Sequence, residues 1–369
     1  MEANRDVYFR EASRVATRRR DMLDDDHMDD ADTKLEDKYI KNYEPPKNIK
    51  LVFFLFGLLT LCGLRSFIVS RMAFWPPKVK GYEVVDNEFV YKNHISGYDI
   101  NELLEKNNVG VRYNKIVDGT DEVASIFVHR KPLDLNKQTI LYSHGNNTDM
   151  GRLFPQYVNL LFQTDANIMA YDYSGYGYSN KKPTEKNMHK NIKMVYKFLT
   201  EHVHINPLNI ILYGYSIGTC PSSYLLSSPD VKVGGCILQS PLASGIKLLF
   251  PFQKRYLPLF DVFKNYEKLN KAPLVPVYIM HGKRDQEIPY YHSVILLDTL
   301  RKNFENKYRK MKNVGNSPDG RLSIDSLIKF WGSAKSNHDD VELVDADKFY
   351  RRLRSFLMLC EDHNGVYPV

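Results

Sequence analysis

The chain has 369 residues, 43% hydrophobic and 26% charged, so most of it should fold around a hydrophobic core. Residues 1–50 hold 11 Lys/Arg and 13 Asp/Glu, a net charge of −2, and since the total is +7, the remaining residues carry +9. That positive charge fits either an anionic surface as partner or ordinary solubility charge. No basic stretch carries the interleaved aromatics of a nucleic-acid-binding stripe, so we expect no nucleic-acid partner.

The four cysteines, Cys62, Cys220, Cys236 and Cys360, do not form a disulfide framework. Cys62 lies in an apolar run, which leaves an odd number elsewhere and indicates a reducing compartment. No His/Cys spacing typical of zinc is present, and the acidic run at 24–30 is best explained as a solvated stretch. We therefore expect no metal site.

The N-terminal part divides into a polar tail and an apolar segment. Residues 1–48 lack hydrophobic periodicity and are expected to be a disordered tail. Residues 49–75 are predicted to anchor the chain in a membrane, because 51–64 read "LVFFLFGLLTLCGL" and the apolar character resumes up to Trp75. Fourteen residues fall short of the roughly 20 that cross a bilayer. A tilted span of about 51–70 and a helix buried in one leaflet both stay open.

From residue 76 to 369 the pattern predicts one α/β domain. Antiparallel strands are expected first, at 82–92, 109–117 and 122–130. Buried runs of a mainly parallel sheet follow, at 139–145, 167–174, 209–216, 234–240 and 275–282. Helices are predicted near 150–163, 184–203, 217–228 and 341–360. A polar insertion at about 301–326 is expected to form a surface loop.

A candidate nucleophile follows the run at 209–216, where Gly214-Tyr215-Ser216-Ile217-Gly218 separates a predicted strand from a predicted helix. Glycines two positions either side of a serine let a strand and a helix approach closely across a strained turn. The turn would expose the hydroxyl of Ser216 above the carboxyl edge of the sheet, where active sites of such folds form.

A serine hydroxyl needs a base, and the base needs an orienting acid. Four histidines follow Ser216: His281, His292, His338 and His363. The first should be a packed turn residue, the second helical and the last part of the tail. His338, just before the final helix, is therefore our candidate base.

Asp285, in the loop after the strand 275–282, is the candidate acid. Asp339 and Asp340 compete, but their adjacency to His338 places them poorly for its far ring nitrogen. Two backbone N–H groups would stabilise an oxyanion, those of Asn146 in "SHGNN" and of Ile217.

Six motifs in order resemble a known family: "HGNNTDMG", "YDYSGYGYS", "YGYSIGTCPS", "LQSPLASGIKLLFP", "HGKRD" and "NHDDVEL". They are similar to the membrane-anchored α/β-hydrolase-domain serine hydrolases of the protein-depalmitoylase type, related to bud-emergence-type hydrolases. The resemblance implies an α/β-hydrolase fold with helices on both faces, a triad of Ser216, Asp285 and His338, and no cofactor. The chain departs from the family in its single N-terminal cysteine, in the length of 301–326, and in the residues "AKSN" before His338, where the family has a glycine-rich turn.

The resemblance further implies cleavage of acyl thioesters or esters, most of all removal of palmitate from S-acylated proteins at a cytosolic membrane face, with an anchor through about 51–74. A lysophospholipase or monoacylglycerol-type lipid esterase is the first alternative. A catalytically inactive scaffold is the second. Six apolar residues are equally compatible with an acyl-chain groove and with the core: Leu248, Leu249, Phe250, Phe252, Leu257 and Phe260.

Overall fold

A computed structural model describes residues 70–71, 73–92, 100–249, 261–313 and 324–366. The predicted tail and the apolar run 51–64 lie outside these ranges. Across the ranges that are described, no helix is long and apolar enough to cross a bilayer.

The described residues form a two-stranded hairpin and an eight-stranded sheet. The hairpin consists of β1 (Tyr82–Val85) and β2 (Glu88–Tyr91). The strands of the sheet are β3 (Val109–Asp118), β4 (Asp121–Arg130), β5 (Thr139–Ser143), β6 (Asn167–Tyr171), β7 (Ile210–Tyr215), β8 (Gly235–Gln239), β9 (Val277–Gly282) and β10 (Ile328–Ser333). β1 and β2 pair with each other, and the sheet order is β10-β9-β8-β7-β5-β6-β4-β3. β1 and β2 are antiparallel; in the eight-stranded sheet β4 runs antiparallel to β3 and β6, and the other pairings are parallel. The predicted α/β-hydrolase fold, mainly parallel with antiparallel strands at its start, is confirmed.

The helices are α1 (Ile100–Lys106), α2 (Phe154–Thr164), α3 (Glu185–Lys197), α4 (Thr219–Leu226), α5 (Gly245–Leu249), α6 (Asn265–Leu269), α7 (Tyr291–Asn313), α8 (Ile324–Leu327), α9 (Val341–Val344) and α10 (Ala346–Val366). Local signals explain their ends. Thr184 caps α3 by accepting the backbone N–H of Asn187, and Asp165 ends α2 in the left-handed conformation.

Two hydrophobic clusters lie on the two faces of the sheet. Alternate residues of β7 divide between them: Leu212 belongs to one cluster, while Ile211 and Tyr213 belong to the other. Helices α3, α4 and α7 pack on the first cluster, and α2 and α10 on the second. Every residue of β5, β6 and β8 is buried, which explains their largely apolar sequences.

The domain begins earlier than the predicted boundary at residue 76. Phe74 is buried in the first cluster and packs edge-on against Phe263, with ring centroids 5.8 Å apart. The end of the segment predicted as an anchor, 73–74, is therefore part of the folded domain.

The predicted surface loop at 301–326 is wrong over its first half. Residues 301–313 continue α7, where Asn303 and Phe304 are buried, because an apolar stripe keeps the helix against the core. The helix is long and polar on its outer side, and that polarity suggested a loop. Residues 314–323 lie outside the described ranges.

Two further expectations need correction. Strand β10, which directly follows α8, was not predicted, although it forms the sheet edge beside β9. His363 was expected in a C-terminal tail but is buried within α10.

Candidate active site

The turn after β7 has the strained geometry that its glycines indicate. Ser216 has a φ of +55°, in the left-handed region that non-glycine residues rarely occupy. A Cβ on Gly218 would lie 2.0 Å from the carbonyl oxygen of Ser143, and one on Gly214 would lie 2.6 Å from that of Gly218. Backbone therefore fills the space on both sides of Ser216, and only glycine fits there.

The three predicted triad residues come together in one hydrogen-bond chain. The Nε2 atom of His338 lies 2.9 Å from Ser216 Oγ, and its Nδ1 atom lies 2.6 Å from Asp285 Oδ2. Because a carboxylate only accepts, Nδ1 carries the proton and Nε2 accepts from the hydroxyl. All three side chains are buried, with His338 4% exposed.

Asp285 is held as a carboxylate. Burial alone would raise its pKa, but hydrogen bonds from His281 and His338 outweigh burial and hold the pKa of Asp285 well below its usual range. Oδ1 also accepts the backbone N–H groups of Glu287 and Ile288, at 2.9 and 2.8 Å. The negative charge is thus fixed beside the His338 ring.

His338 is tuned in the opposite sense. Burial alone would lower its pKa, but the hydrogen bond to Asp285 and the nearby charges of Glu287 and Asp339 prevail and raise the pKa of His338 above its usual value. Its Nε2 lies 3.8 Å from Glu287 Oε2. The base consequently holds a proton more readily than a free histidine.

The competing acids do not bond the ring. Asp339 accepts the hydroxyl of Tyr215, and Asp340 Oδ1 accepts the backbone N–H of Asn337 at 2.6 Å. The Tyr215 ring also packs on that of His338, with centroids 5.6 Å apart. Tyr215 therefore links the strand that carries Ser216 to the loop that carries His338.

The loops after β9 and β10, which carry the acid and the base, are joined by backbone hydrogen bonds. Lys283 N–H donates to Ser333 O at 2.8 Å, and Arg284 N–H donates to Ser336 O at 3.0 Å. These bonds extend the parallel pairing of the two strands, so the turn that precedes His338 is fixed without being rich in glycine.

His281 does more than the packed turn residue expected from the sequence. Its Nε2 lies 2.9 Å from Asp285 Oδ2 and 2.8 Å from Ile288 O. Both atoms are acceptors, so Nε2 carries the proton, and Nδ1 accepts from Ser293 Oγ at 2.6 Å. Asp285 therefore receives two histidine donors. The spacing His281-x-x-x-Asp285 at a strand end was a usable signal for this contact.

The candidate oxyanion turn lies directly beside the nucleophile. A Cβ on Gly145 would lie 3.9 Å from Ser216 Cβ and 2.9 Å from the Tyr215 ring, which places the next residue, Asn146, at the site. Ile217 follows Ser216 in the one-turn 3₁₀ helix Ser216–Gly218. The roles of the Asn146 and Ile217 N–H groups remain predictions.

The side chain of Asn146 is bound by a segment far away in the sequence. Its Nδ2 donates to Ala73 O at 2.9 Å, while its Oδ1 accepts Trp75 N–H at 2.9 Å and the Tyr176 hydroxyl at 2.7 Å. This clamp was not predicted, because nothing local relates 73–75 to the "SHGNN" motif.

His144, the other polar residue of the turn, has a structural environment. Its Nδ1 lies 2.7 Å from Gly145 O, and its Nε2 lies 3.4 Å from Asp172 Oδ1. Asp172 also accepts the hydroxyl of Tyr82 and the backbone N–H of Met150, at 2.6 and 2.9 Å. The Tyr173 hydroxyl donates to His144 O at 2.6 Å, and together with the bonds to Asp172 it ties the oxyanion turn and β1 to the loop after β6.

The predicted acyl-chain groove is largely outside the described residues. Leu248 is partly buried against the first hydrophobic cluster, and Leu249 is the last residue of α5. The remaining four candidates, Phe250, Phe252, Leu257 and Phe260, lie in 250–260, which the structure does not describe. Within the described ranges, no group of three or more His, Cys, Asp or Glu side chains is arranged to hold a metal ion.

A family model and two relatives match this chain. Residues 138–261 match the alpha/beta hydrolase fold family. Human alpha/beta hydrolase domain-containing protein 17B is 39% identical over 185 residues, which cover 50% of this chain and 62% of that protein. The alpha/beta hydrolase domain-containing protein aho-3 of Caenorhabditis elegans is 32% identical over 292 residues, 79% of this chain and 78% of the nematode protein. The chain thus spans less than two thirds of the human relative's length.

Solved structures agree on the fold. An esterase from Pyrococcus furiosus has a TM-score of 0.52 at 15% identity, covering 77% of this chain and 98% of the esterase. A sugar hydrolase from Lactococcus lactis has a TM-score of 0.51 at 15% identity, covering 70% and 100%. At such identities the likeness concerns the fold alone.

Proposed function

The chain belongs to the alpha/beta hydrolase domain-containing protein family, and on that basis we propose that it is a serine hydrolase of acyl thioesters or esters. The observation that carries the proposal is the buried chain of hydrogen bonds from Ser216 through His338 to Asp285, at 2.9 and 2.6 Å. A serine, a base and an orienting acid in this order are what nucleophilic acyl transfer requires.

In the first step, Ser216 Oγ attacks the acyl carbonyl while His338 Nε2 takes the hydroxyl proton. The imidazolium that forms is stabilised by ionised Asp285, whose low pKa keeps it charged. The backbone N–H groups of Asn146 and Ile217 would donate to the tetrahedral oxyanion. His338 then protonates the leaving thiolate or alkoxide, and an acyl-serine remains.

In the second step, water attacks the acyl-serine. His338 Nε2 accepts a proton from that water and returns it to Ser216 Oγ as the acyl–oxygen bond breaks, and the carboxylic acid that leaves loses its own proton to solvent. Each turnover consumes one water and needs no cofactor.

Protein S-acyl groups are our favoured substrate, and we place the enzyme at a membrane through the run 51–64, with the catalytic domain facing the cytosol. The six-motif resemblance to depalmitoylases supports this choice. So does the length of 246–263, which is too short for a large cap that would enclose a small substrate.

Turnover of a palmitoylated cysteine peptide, compared with a monoacylglycerol and a lysophospholipid of the same chain length, tests the proposal. We expect hydrolysis of the thioester by the wild type and none by Ser216→Ala. Cleavage of the glycerol esters alone would make the protein a lipid esterase. A folded wild type that cleaves none of the three would support the inactive scaffold.

A further inference from the structure

The segment that clamps Asn146 is held to the domain along its length. We define residues 73–80 as the strap. Beyond its contacts with Asn146, Val79 O accepts from Arg152 Nη2 at 2.9 Å, and the next residue, Gly81, donates its N–H to Asp149 Oδ2 at 2.8 Å. The strap is therefore a preformed surface whose backbone is fixed at both ends.

The strap presents apolar side chains to solvent. Trp75 is 61% exposed and Val79 is 62% exposed, although Phe74 between Ala73 and Trp75 is buried. Burying the large apolar ring of a tryptophan against a partner removes much apolar surface from water, so Trp75 is well suited to contact one. Folding of the domain does not account for these two side chains.

The charged residues within 71–80 all have the same sign. Residues 71–80 read "RMAFWPPKVK", with three basic residues and no carboxylate. Arg71 and Lys78 are exposed, and Lys80 lies over the Tyr178 ring, with Nζ 3.7 Å from its centroid. Exposed tryptophan beside exposed cations is the composition of a surface that meets a bilayer at the headgroup level.

We propose that the strap docks the folded domain on an anionic lipid surface. Trp75 and Val79 would enter the boundary between headgroups and acyl chains, and Arg71 and Lys78 would meet lipid phosphates and carboxylates. The position of the strap in the chain favours this partner. The apolar run 51–64 ends nine residues before Ala73, a reach of about 30 Å at full extension.

Docking through the strap would bring the candidate oxyanion turn to the membrane. Trp75 N–H bonds the Asn146 side chain, and Gly145 lies beside Ser216. A membrane-embedded acyl group would then reach the nucleophile without crossing bulk water. The docking surface goes beyond the proposed chemistry and does not require it.

The chain has only two tryptophans, which makes the proposal measurable. Trp331, in β10, is 7% exposed, so Trp331→Phe leaves Trp75 as the sole reporter and Trp75→Phe leaves the buried one. Both full-length variants are reconstituted into phosphatidylcholine vesicles with and without phosphatidylserine. The same vesicles are prepared with lipids brominated near the top of the acyl chain, and tryptophan emission is compared.

We expect brominated lipid to quench Trp75, more strongly with phosphatidylserine present, and to leave Trp331 unquenched. In the Trp75 reporter, Arg71→Gln with Lys78→Gln should lower the docking equilibrium about 30-fold, whereas Lys310→Gln with Lys312→Gln, on the exposed end of α7, should not change it. The same quenching is expected with Ser216→Ala, so a failure of docking and a failure of the chemistry are distinguishable.

Three outcomes would overturn the proposal. The first is unquenched Trp75 in protein that co-sediments with the vesicles. The second is blue-shifted Trp75 emission before lipid is added. A blue shift that does not depend on protein concentration would mean that the N-terminal part covers the strap. A blue shift that rises with protein concentration would mean that a second copy covers it. The third is equal quenching in the two pairs of cation variants.

Discussion

The two sides of Ser216 are supported in different ways. The acid and the base lie on loops after neighbouring parallel strands, β9 and β10, and backbone hydrogen bonds between those loops continue the sheet. The oxyanion turn after β5 is instead held by the strap, more than seventy positions earlier in the sequence. The acid–base side is thus a product of the sheet, while the oxyanion side depends on a segment outside it.

Removing the base should have the largest effect. His338→Ala takes away the ring nitrogen that accepts the hydrogen bond from Ser216 Oγ, and we expect kcat to fall by about 10⁴-fold or more. His202→Ala, at an exposed position, is the control and should keep wild-type kcat. Circular dichroism of both variants would show whether the fold survives. Retention of a tenth of the wild-type kcat in folded His338→Ala would exclude His338 as the base.

Removing the clamp tests the other side. Asn146→Ala keeps the backbone N–H but loses the bonds to Ala73, Trp75 and Tyr176, so the turn should shift and kcat should fall by about 100-fold. The KM should change much less, because oxyanion donors act mainly on charge that develops in the transition state.

The exposed Asn136→Ala serves as the matched control for this variant. Slow covalent labelling of Ser216 should persist in Asn146→Ala, since His338 and Asp285 are untouched. An unchanged kcat would show that the oxyanion turn holds its shape without the strap, and the contrast between the two sides would disappear.

His281 is expected to have a smaller effect as a positioning residue. His281→Leu removes one of two histidine donors from Asp285 and should lower kcat about tenfold. In this variant the Asp285 carboxylate is no longer bonded by His281 and interacts more strongly with His338. The pKa of His338 should therefore rise, which moves the acidic limb of the pH–rate profile to higher pH. His281→Gln keeps an N–H donor and should restore much of both. Identical pH–rate profiles for His281→Leu and His281→Gln would show that His281 acts only through packing.

The smallest expected effect concerns Glu287, whose carboxylate lies 3.8 Å from His338 Nε2. Its negative charge helps to raise the pKa of His338, so Glu287→Gln should lower that pKa. Because the neutral ring is the active base, the acidic limb should move to lower pH, and solvent screening of the exposed Glu287 carboxylate keeps this shift small.

Glu305→Gln, on the exposed side of α7, should leave the pH profile unchanged. The shift in Glu287→Gln should shrink as salt is added. A limb that moves to higher pH in this variant would contradict the electrostatic account of His338.

Sequence reasoning succeeded where the signal is local. The glycines around Ser216 report a close approach of backbone to backbone, which any neighbouring side chain would block. The strands were recognisable because a sheet buried on both faces needs continuous apolar runs. The order nucleophile, acid, base narrowed the remaining candidates to Asp285 and His338, which the structure brings together.

Sequence reasoning failed where the decisive contact joins residues that are far apart in the chain. Whether residues 301–313 form helix or loop depends on Phe304 meeting the core, and β10 is defined by its pairing with β9. The Asn146 clamp joins the backbone of Ala73 and Trp75 to a side chain more than seventy positions away. Any residue type offers the same backbone groups, so the identities of residues 73 and 75 do not reveal these bonds. The second donor to Asp285 was overlooked because His281 was interpreted alone and not together with Asp285 four residues later.

The central claim is that His338 activates Ser216 for attack, and fluorophosphonate labelling with peptide mapping tests it most directly. We predict one adduct, on Ser216, that is absent in Ser216→Ala and formed far more slowly in His338→Ala. A folded wild type that takes no label, or takes it at another residue, would contradict the account.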